Sequence, residues 1–530
     1  MDDGIAKNPN WVRAIDLASL QREGRALFRH NGRQIALFAT PEGIFACNNR
    51  CPHEGYPLRE GTLSGGCVLT CNWHNWKFDL KSGENLDRGE GLRTYPVQTR
   101  EGVVWLDLTE PPLEQRRAAV MASLKDAFDE EDYERLARDL ARLAELGNPR
   151  DVVYAAIDWS WQRLEYGWTH AYAGMADWLA LYDEHEGNRE AQLICLLEIL
   201  AHLAEDCLRQ EEHPFAEGDR PWDEKAFLAA IEAEDEDTAA AYLRGALSAG
   251  RHAGDLEQAL TRAALAHYAD FGHSLIYTAK AFELIGHLGP LVEAPLLFSL
   301  LRSLIAAQRE DLIPEFRDYG TALAGWGSAK NAPSMQDYAG LNARRALALT
   351  AERGGADPAL VYRALLGANA QNLLTLDLRL QMRIDQPIVE NASWLDVSHG
   401  ITFANAVRRQ CSKFPEFWPQ GLLQMACFAG RNSGFLDKSV TLDRWFISRP
   451  AVFFARAIDE LLDHGRDENI VAVHRLKTIL AARAECTEGP DDEAAQTMVA
   501  GMNRFLNSPL RRRHVRRTMR QAMQFVGLGE

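Results

Sequence analysis

The stretch NNRCPHEGYPLREGTLSGGCVLTCNWHNWKFDLKSGE, residues 48–84, decides the fold of the N-terminal region. It contains two short cysteine–histidine motifs, C-x-H from Cys51 to His53 and C-x-x-H from Cys71 to His74. Seventeen residues separate the two motifs. Cysteines and histidines that crowd together in this way, while the other cysteines are scattered, indicate a bound metal.

The four residues match the ligand set of a [2Fe–2S] cluster with mixed coordination. Each iron needs two protein ligands beyond the bridging sulfides, and in this version two thiolates hold one iron while two imidazoles hold the other. We therefore predict that Cys51, His53, Cys71 and His74 bind the cluster, with one cysteine and one histidine from each loop. Neutral imidazoles raise the reduction potential, which suits accepting an electron and passing it onward. A zinc site with the same ligands is the alternative, but the spacing of a zinc finger is absent.

The two loops, CPHEG and CNWHNWKFDLKSGE, resemble those of the Rieske family of the ferredoxin and oxygenase type. The resemblance covers residues 11–108 and implies a small domain that holds a [2Fe–2S] cluster. Asn75 stands where the family usually has glycine, so we expect a less flexible second loop. Trp73 and Trp76 flank His74, and we expect them to cover the cluster and pack the loop.

The sequence around the loops indicates a small antiparallel β domain. Short β-rich runs such as RALFRH, RQIALFAT and GVVWLDL are separated by Asn-Gly and Glu-Gly turns. The run of strands ends near Leu108, and Pro111-Pro112 mark a boundary.

The rest of the chain is rich in Ala, Leu, Glu and Arg, with apolar residues at helical spacing over 136–146, 195–208 and 262–288. The predicted fold class is α+β and multidomain, with a small antiparallel β Rieske domain followed by a large all-α domain. The predicted boundaries are 11–108 for the Rieske domain, 109–150 for a helical linker and 151–530 for an all-helical candidate catalytic domain.

An internal repeat in the helical part predicts a second metal site. DFGHSLIY, residues 270–277, aligns without a gap to DVSHGITF, residues 396–403. An aspartate and a histidine three residues apart face the same way on a helix, and such pairs from facing helices hold iron in helical bundles. The residues predicted to form this catalytic site are Asp270, His273, Asp396 and His399.

Further histidines in the helical part are candidate ligands for one or two non-haem iron ions. His170 belongs to a weaker third copy of the repeat, and Glu198 with His202 forms a carboxylate–histidine pair at i, i+4. Glu283 with His287 repeats that pair, but lies too far along a helix from the repeat to share its ion. The alternatives are that the aspartates cap helices and that the histidines are hydrogen-bonded core residues.

The segments HAYAGMADWL, HSLIYTAKAFE and HGITFANAVRR resemble the questin oxidase-like family, an all-helical group. The resemblance covers about 150–480 and implies oxidative ring cleavage of an aromatic polyketide. The sheet-based catalytic domain that usually follows a Rieske domain carries D/E-x₃-D-x₂-H-x₄-H, which is absent after residue 110.

Three functions agree with these features. The first is an oxygenase, in which the cluster passes electrons to non-haem iron in the helical domain and O₂ reacts with a small organic substrate. The second is an electron-transfer protein with a helical docking or binding domain and no second metal, and the third is a redox sensor. No GxGxxG follows a strand, so we expect an external NAD(P)H-dependent reductase or a ferredoxin as the electron donor.

The net charge and the hydropathy of the chain limit the classes of partner and the cellular location that we expect for this protein. The formal net charge of −17 argues against a nucleic-acid partner. No run of 18 apolar residues is present, which argues against a membrane span. The start, MDDGIAKNPN, lacks the features of a secretory signal, so we expect a cytoplasmic protein. The receiving iron site could belong to the same chain or to a neighbour in a homo-oligomer.

Overall fold

A computed structural model describes residues 10–87, 89–384, 386–489, 492–509 and 515–527. The chain divides into two compact units, Met1–Pro149 and Arg150–Glu530. The first nine residues, on which the expectation of a cytoplasmic protein rests, lie outside the described stretches.

The first unit is built on short antiparallel strands. These strands are β1 (Trp11–Asp16), β2 (Arg25–His30), β3 (Arg33–Thr40), β4 (Gly43–Asn48), β5 (Thr62–Ser64), β6 (Val68–Thr70), β7 (Lys77–Asp79), β8 (Val97–Arg100) and β9 (Val103–Asp107). In the described part of the chain they form three antiparallel sheets, with orders β1-β9-β8, β2-β3-β4 and β5-β6-β7.

The strand β3 is buried on both faces and separates two cores. Ile35 and Leu37 pack into the core that includes residues of β1 and β9. Ala36 and Phe38 point the other way, into the core that contains the predicted ligand cysteines. The turn before β3 follows from its Asn-Gly sequence, because Asn31 and Gly32 have φ values of 46° and 79°.

Three helices complete the first unit. They are α1 (Leu17–Glu23), α2 (Leu113–Asp129) and α3 (Tyr133–Glu145). The segment predicted as a helical linker therefore forms α2 and α3, which pack against each other within this unit. Glu90 of the β region is ion-paired with Arg142 and lies 3.4 Å from the Nε of Arg138.

The regular elements in the described part of the second unit are helices, joined by loops. Its helices are α4 (Val152–Ser160), α5 (His170–Glu184), α6 (Arg189–Cys207), α7 (Glu224–Glu232), α8 (Glu236–Ser248), α9 (Ala253–Ala266), α10 (His273–Leu288), α11 (Glu293–Ala306), α12 (Tyr319–Ala324), α13 (Ala343–Glu352), α14 (Pro358–Thr375), α15 (Trp394–Lys413), α16 (Trp418–Asn432), α17 (Pro450–Asp459), α18 (Asn469–Glu488), α19 (Glu493–Leu506) and α20 (Val515–Gly527). The predicted fold class, small antiparallel sheets followed by a large helical region, is confirmed.

Four of these helices form a bundle. The helix α5 packs against α10 and α18, and α15 packs against the same two helices. Each helix of the bundle therefore has two neighbours, and all four can direct side chains toward one axis. Among the described helices, none combines the length and the apolar composition needed to cross a bilayer.

The segment 262–288, whose apolar spacing predicts helix throughout, is interrupted. The helix α9 ends at Ala266 and α10 begins at His273. Between them Asp270, Phe271 and Gly272 adopt positive φ values of 48°, 51° and 79°. A Cβ on Gly272 would lie 2.7 Å from the ring of Phe403, so only glycine fits at this close approach.

Candidate functional site

The first predicted cluster loop is a tight turn around Cys51. The backbone N–H of Gly55 donates to the carbonyl of Cys51 at 2.8 Å, and the N–H of Cys51 donates to the carbonyl of Tyr56 at 2.9 Å. Gly55 has a φ of 77°, in the left-handed region. The turn presents the Cys51 thiol to the core and the His53 ring toward the second loop.

The second loop repeats this geometry position by position. The N–H of Asn75 donates to the carbonyl of Cys71 at 2.9 Å, and the N–H of Cys71 donates to the carbonyl of Trp76 at 2.8 Å. Asn75 has a φ of 62° and thus takes the place of Gly55. Asparagine adopts this region more readily than other side chains, which explains why the loop keeps its turn without glycine.

The conformation of Asn75 leads to a prediction about stability. We expect Asn75→Gly to leave the stability of the first unit unchanged and Asn75→Ala to lower it by about 1 kcal/mol, because alanine pays for the left-handed backbone. Urea titration followed by the visible absorbance of the cluster would measure both effects. Equal midpoints for the two variants would contradict the role given to this backbone position.

The four predicted ligands face one another across the two loops. The Nδ1 atoms of His53 and His74 lie 3.0 Å apart, while Cys51 and Cys71 are buried beneath them. Two nitrogens about 3 Å apart suit a shared metal, whose bonds to imidazole are about 2.0–2.1 Å long. Burial raises the pKa of the Cys51 thiol to about 11, so binding of iron would displace a proton there.

Each of the two histidines predicted to be ligands is stacked on a tryptophan. The Trp76 ring lies parallel to His53 with centroids 4.7 Å apart, and the Trp73 ring lies parallel to His74 at 5.3 Å. Each of the two indoles therefore covers one of the two histidine rings. About a third of the His74 side chain stays exposed, which leaves an imidazole edge accessible for electron exchange.

Four histidines of the second unit converge between the helices of the bundle, and we call them the histidine layer. His170 is the first residue of α5, His273 is the first residue of α10, and His399 and His474 lie within α15 and α18. The Nε2 of His273 is 3.1 Å from that of His170 and 2.9 Å from that of His399. The His474 ring centroid is 4.6 Å from that of His170 and 5.0 Å from that of His399.

Backbone carbonyls fix the tautomers of three of these rings. His399 and His474 each donate from Nδ1 to the carbonyl four residues earlier at 2.6 Å, and His273 donates from Nδ1 to the carbonyl of Asp270 at 2.5 Å. A carbonyl can only accept, so Nδ1 carries the proton in each ring. In the neutral ring, Nε2 then presents a lone pair to the layer.

His399 and His474 are buried, His170 and His273 are partly exposed, and the neutral form of all four rings is favoured. Burial lowers the pKa of all four histidines, and it lowers that of His399 to about 3. The lone pairs of His273 and His399 therefore face each other at 2.9 Å without a proton between them. In the described part of the chain, the Nε2 of His474 is buried without a hydrogen bond. A metal cation would satisfy these nitrogens, and donation from Nδ1 to a carbonyl is how metal-binding histidines are usually held.

The two predicted carboxylates lie outside the layer. Asp396 belongs to a capping box at the start of α15, where it accepts from the N–H and hydroxyl of Ser393 at 2.8 and 2.9 Å. Asp270 precedes α10, and its carboxylate is 3.8 Å from the Nδ1 of His273, on the ring edge away from the layer. The expectation that Asp270 shares one helical face with its histidine fails because left-handed residues separate Asp270 from α10.

The other predicted pairs have local partners. Glu198 accepts from the Nε2 of His464 at 2.9 Å, and His202 lies 3.8 Å from Asp206. His287 is 3.1 Å from Asp183. None of these groups belongs to either of the two sets of three convergent ligand atoms found among the described residues, which are His170, His399 and His474, and His53, Glu54 and His74.

Sequence reasoning missed His474. It sits in IVAVHRLKTIL, a helical run without an aspartate three residues earlier, so the repeat did not include it. A histidine inside a largely apolar helical run was the only available signal.

Comparisons with known proteins agree on the N-terminal region. The profile of the Rieske [2Fe–2S] domain matches residues 10–96. The 4beta-methylsterol monooxygenase of Methylococcus capsulatus is 34% identical over 122 residues, covering 21% of this chain and 32% of that protein. The ferredoxin subunit of the 3-phenylpropionate/cinnamic acid dioxygenase of Escherichia coli K12 is 36% identical over 103 residues, covering 19% and 96%. The chain thus spans about a third of the monooxygenase and nearly all of the ferredoxin.

Solved structures that are similar to the chain include a ferredoxin and an oxygenase. The Sphingomonas yanoikuyae B1 ferredoxin is 23% identical, and the match covers 19% of this chain and 100% of that chain with a TM-score of 0.18. The terminal oxygenase of carbazole 1,9a-dioxygenase from Nocardioides aromaticivorans IC177 is 23% identical, with coverage of 20% and 31% and a TM-score of 0.18.

Proposed function

The chain belongs to the Rieske [2Fe–2S] domain family through its N-terminal region, and from this premise we propose that it is an oxygenase that passes electrons to a metal held by the histidine layer. The metal proposed is non-haem iron, one ion per layer, and the substrate proposed is a small organic molecule. The cluster ligands proposed are Cys51, His53, Cys71 and His74.

One observation carries the proposal of a second metal. The unprotonated Nε2 atoms of His273 and His399 face each other at 2.9 Å inside a buried bundle, an arrangement that is repulsive without a cation. His170 and His474 stand beside them in the same layer. Imidazole nitrogen suits iron among other transition metals, and the electrons supplied by a Rieske cluster favour a redox-active one. Bound iron would supply the redox chemistry that O₂ requires.

The residues around the layer would orient the ligands and exclude water. The carbonyl groups that accept from Nδ1 hold the rings of His273, His399 and His474 in place. The ring of Phe271 packs 5.2 Å from that of His399, and the Tyr277 hydroxyl lies 3.4 Å from the Nδ1 of His170. A dry, preorganised site of this kind protects reactive oxygen chemistry from solvent.

The electron donor proposed is an external NAD(P)H-dependent reductase or a ferredoxin. The exposed edge of the His74 ring offers a place for electron exchange with this donor. The names of relatives, a sterol monooxygenase and a cinnamic acid dioxygenase component, support an organic substrate. The resemblance of three helical segments to the questin oxidase-like family supports an aromatic substrate.

Iron content tests the proposal directly. We expect three irons per chain in protein purified from iron-sufficient cells, two from the cluster and one from the layer. Elemental analysis combined with protein quantification by amino-acid analysis would give the count. Two irons per chain, with no other metal present, would favour an electron-transfer protein with a helical docking domain instead.

A further inference from the structure

A small cavity lies in the bundle next to the histidine layer. It has a volume of about 20 Å³, and residues of α10, α15 and α18 line it. Three of the lining residues, Ile276, Thr402 and Lys477, are each one helical turn after a histidine of the layer. The other lining residues lie six to ten residues after those histidines, so the cavity occupies the part of the bundle between one and three helical turns beyond the layer.

The cavity wall is strongly cationic. Lys280, Arg409 and Lys477 all contribute to it, together with the hydroxyl-bearing Thr402. Lys477 is 2% exposed, and in the described part of the chain its Nζ makes no hydrogen bond. A buried ammonium without a partner is strongly unfavourable, so this side chain needs a compensating group.

Asp177 and Glu283 both pair with other cations, although the Oδ2 of Asp177 is buried without a hydrogen bond among the described residues and its charge raises the pKa of Lys477. Lys280 donates to Asp177 at 2.7 Å and to Glu283 at 2.9 Å, and Arg409 is ion-paired with Glu283. Two cations and two carboxylates thus balance, and Lys477 adds one uncompensated positive charge among the described residues at this level. Glu485, farther along α18, is held by Arg408 and Asn405.

We infer that this cavity binds a small monovalent inorganic anion, of the chloride class, held by Lys477. The volume has room for one water-sized or slightly larger occupant and not for the carbon chain of an organic carboxylate. The anion balances Lys477 and offsets part of the charge that a metal brings to the adjacent layer. Without an anion, burial lowers the pKa of Lys477 to about 7.

Bromide is the probe for this site because its anomalous scattering identifies it. Crystals of the full chain grown without halide and soaked in sodium bromide should show a bromine peak within hydrogen-bond distance of the Lys477 Nζ. The peak should vanish in Lys477→Met and persist in Lys225→Met, which removes an exposed lysine of the same unit. A wild-type cavity without bromine, or an equal peak in Lys477→Met, would overturn the proposal.

A measurement of thermal stability in solution shows whether the loss of the bromine peak comes from misfolding of the Lys477→Met variant. Bromide should raise the thermal midpoint of the wild type by a few degrees relative to gluconate at equal ionic strength, and should not raise that of Lys477→Met. Methionine removes the buried charge at similar volume, so we expect the variant to fold and to be no less stable in gluconate. Equal bromide responses in both proteins would contradict an anion held by Lys477.

The proposal of an anion site and the proposal of a metal site can be refuted independently of each other. The crystal experiment does not require a bound metal. A bromine peak in a chain shown to lack a second metal would support the anion site and contradict the oxygenase proposal. The coupling between the sites rests on the proposed function. If both exist, bromide should increase the affinity of the layer for Fe²⁺ severalfold in the wild type and leave Lys477→Met unaffected.

Discussion

His399→Ala is expected to purify without the metal of the histidine layer while it keeps the visible and electron paramagnetic resonance spectra of the [2Fe–2S] cluster. The Nε2 of His399 lies 2.9 Å from that of His273, so the variant loses one of the closest nitrogens of the layer. Loss of a direct ligand should weaken metal binding by at least ~100-fold, since changes one shell farther out cost about 10–100-fold. Elemental analysis of the variant measures the loss, and turnover of O₂ should fall with it.

Two matched controls separate a ligand from a merely buried polar residue. His202→Ala removes a buried histidine that the sequence also suggests as a ligand, but His202 lies beside Asp206 and outside the layer, so its metal should remain. Asp396→Asn alters the capping box of α15 and should cost about 1 kcal/mol of stability while retaining the metal. If His399→Ala keeps its metal and its activity, the layer is a packing feature and the proposed second metal site is wrong.

The sequence was sufficient for the first unit because its signals are local. Turn residues such as Asn31-Gly32 specify their own backbone, and the ligands of each cluster loop lie within four residues of one another. The burial of β3 on both faces could not be predicted from the sequence, because it depends on which distant strands cover each face.

The helical site was predicted only in part, and the reason is geometric. The repeat singled out His273 and His399, which lie together in the structure, and its weaker third copy included His170. The predicted oxygen ligands do not join them, since the same D-x-x-H spacing serves a capping box at Asp396 and a left-handed turn at Asp270. Spacing alone cannot distinguish a capping carboxylate from a ligand, because both occur at the start of a helix.

The missing fourth histidine illustrates a second limit. His474 reaches the layer because α18 packs between α5 and α15, a contact between segments almost 300 residues apart. The sequence periodicity of α18 alone does not predict that contact. The Nδ1 hydrogen bond to the preceding turn, shared by His399 and His474, becomes visible only when side chains are placed.

Cys71→Ser is expected to abolish the visible absorbance of the cluster. Cys71 is buried opposite Cys51, and each cluster loop supplies one of the two thiolates that the all-sulfur iron needs. Serine preserves the size of the side chain and the backbone hydrogen bonds of the loop, but its hydroxyl is a poor substitute for a thiolate on iron. The loss should therefore come from the chemistry of the ligand and not from unfolding, which circular dichroism can check.

Cys67→Ser provides the matched control, since Cys67 is a half-buried free cysteine four residues earlier on the same segment. It should keep the full cluster spectrum. Because the histidine layer is built entirely from the second unit, Cys71→Ser should also keep the metal of the layer. Reduction of that metal by an external reductase should then stop, since the cluster that passes the electrons is gone. His399→Ala should show the opposite result, with the cluster kept and the metal of the layer lost. Retention of a red-brown colour in Cys71→Ser, or its loss in Cys67→Ser, would show that the cluster ligands are assigned wrongly.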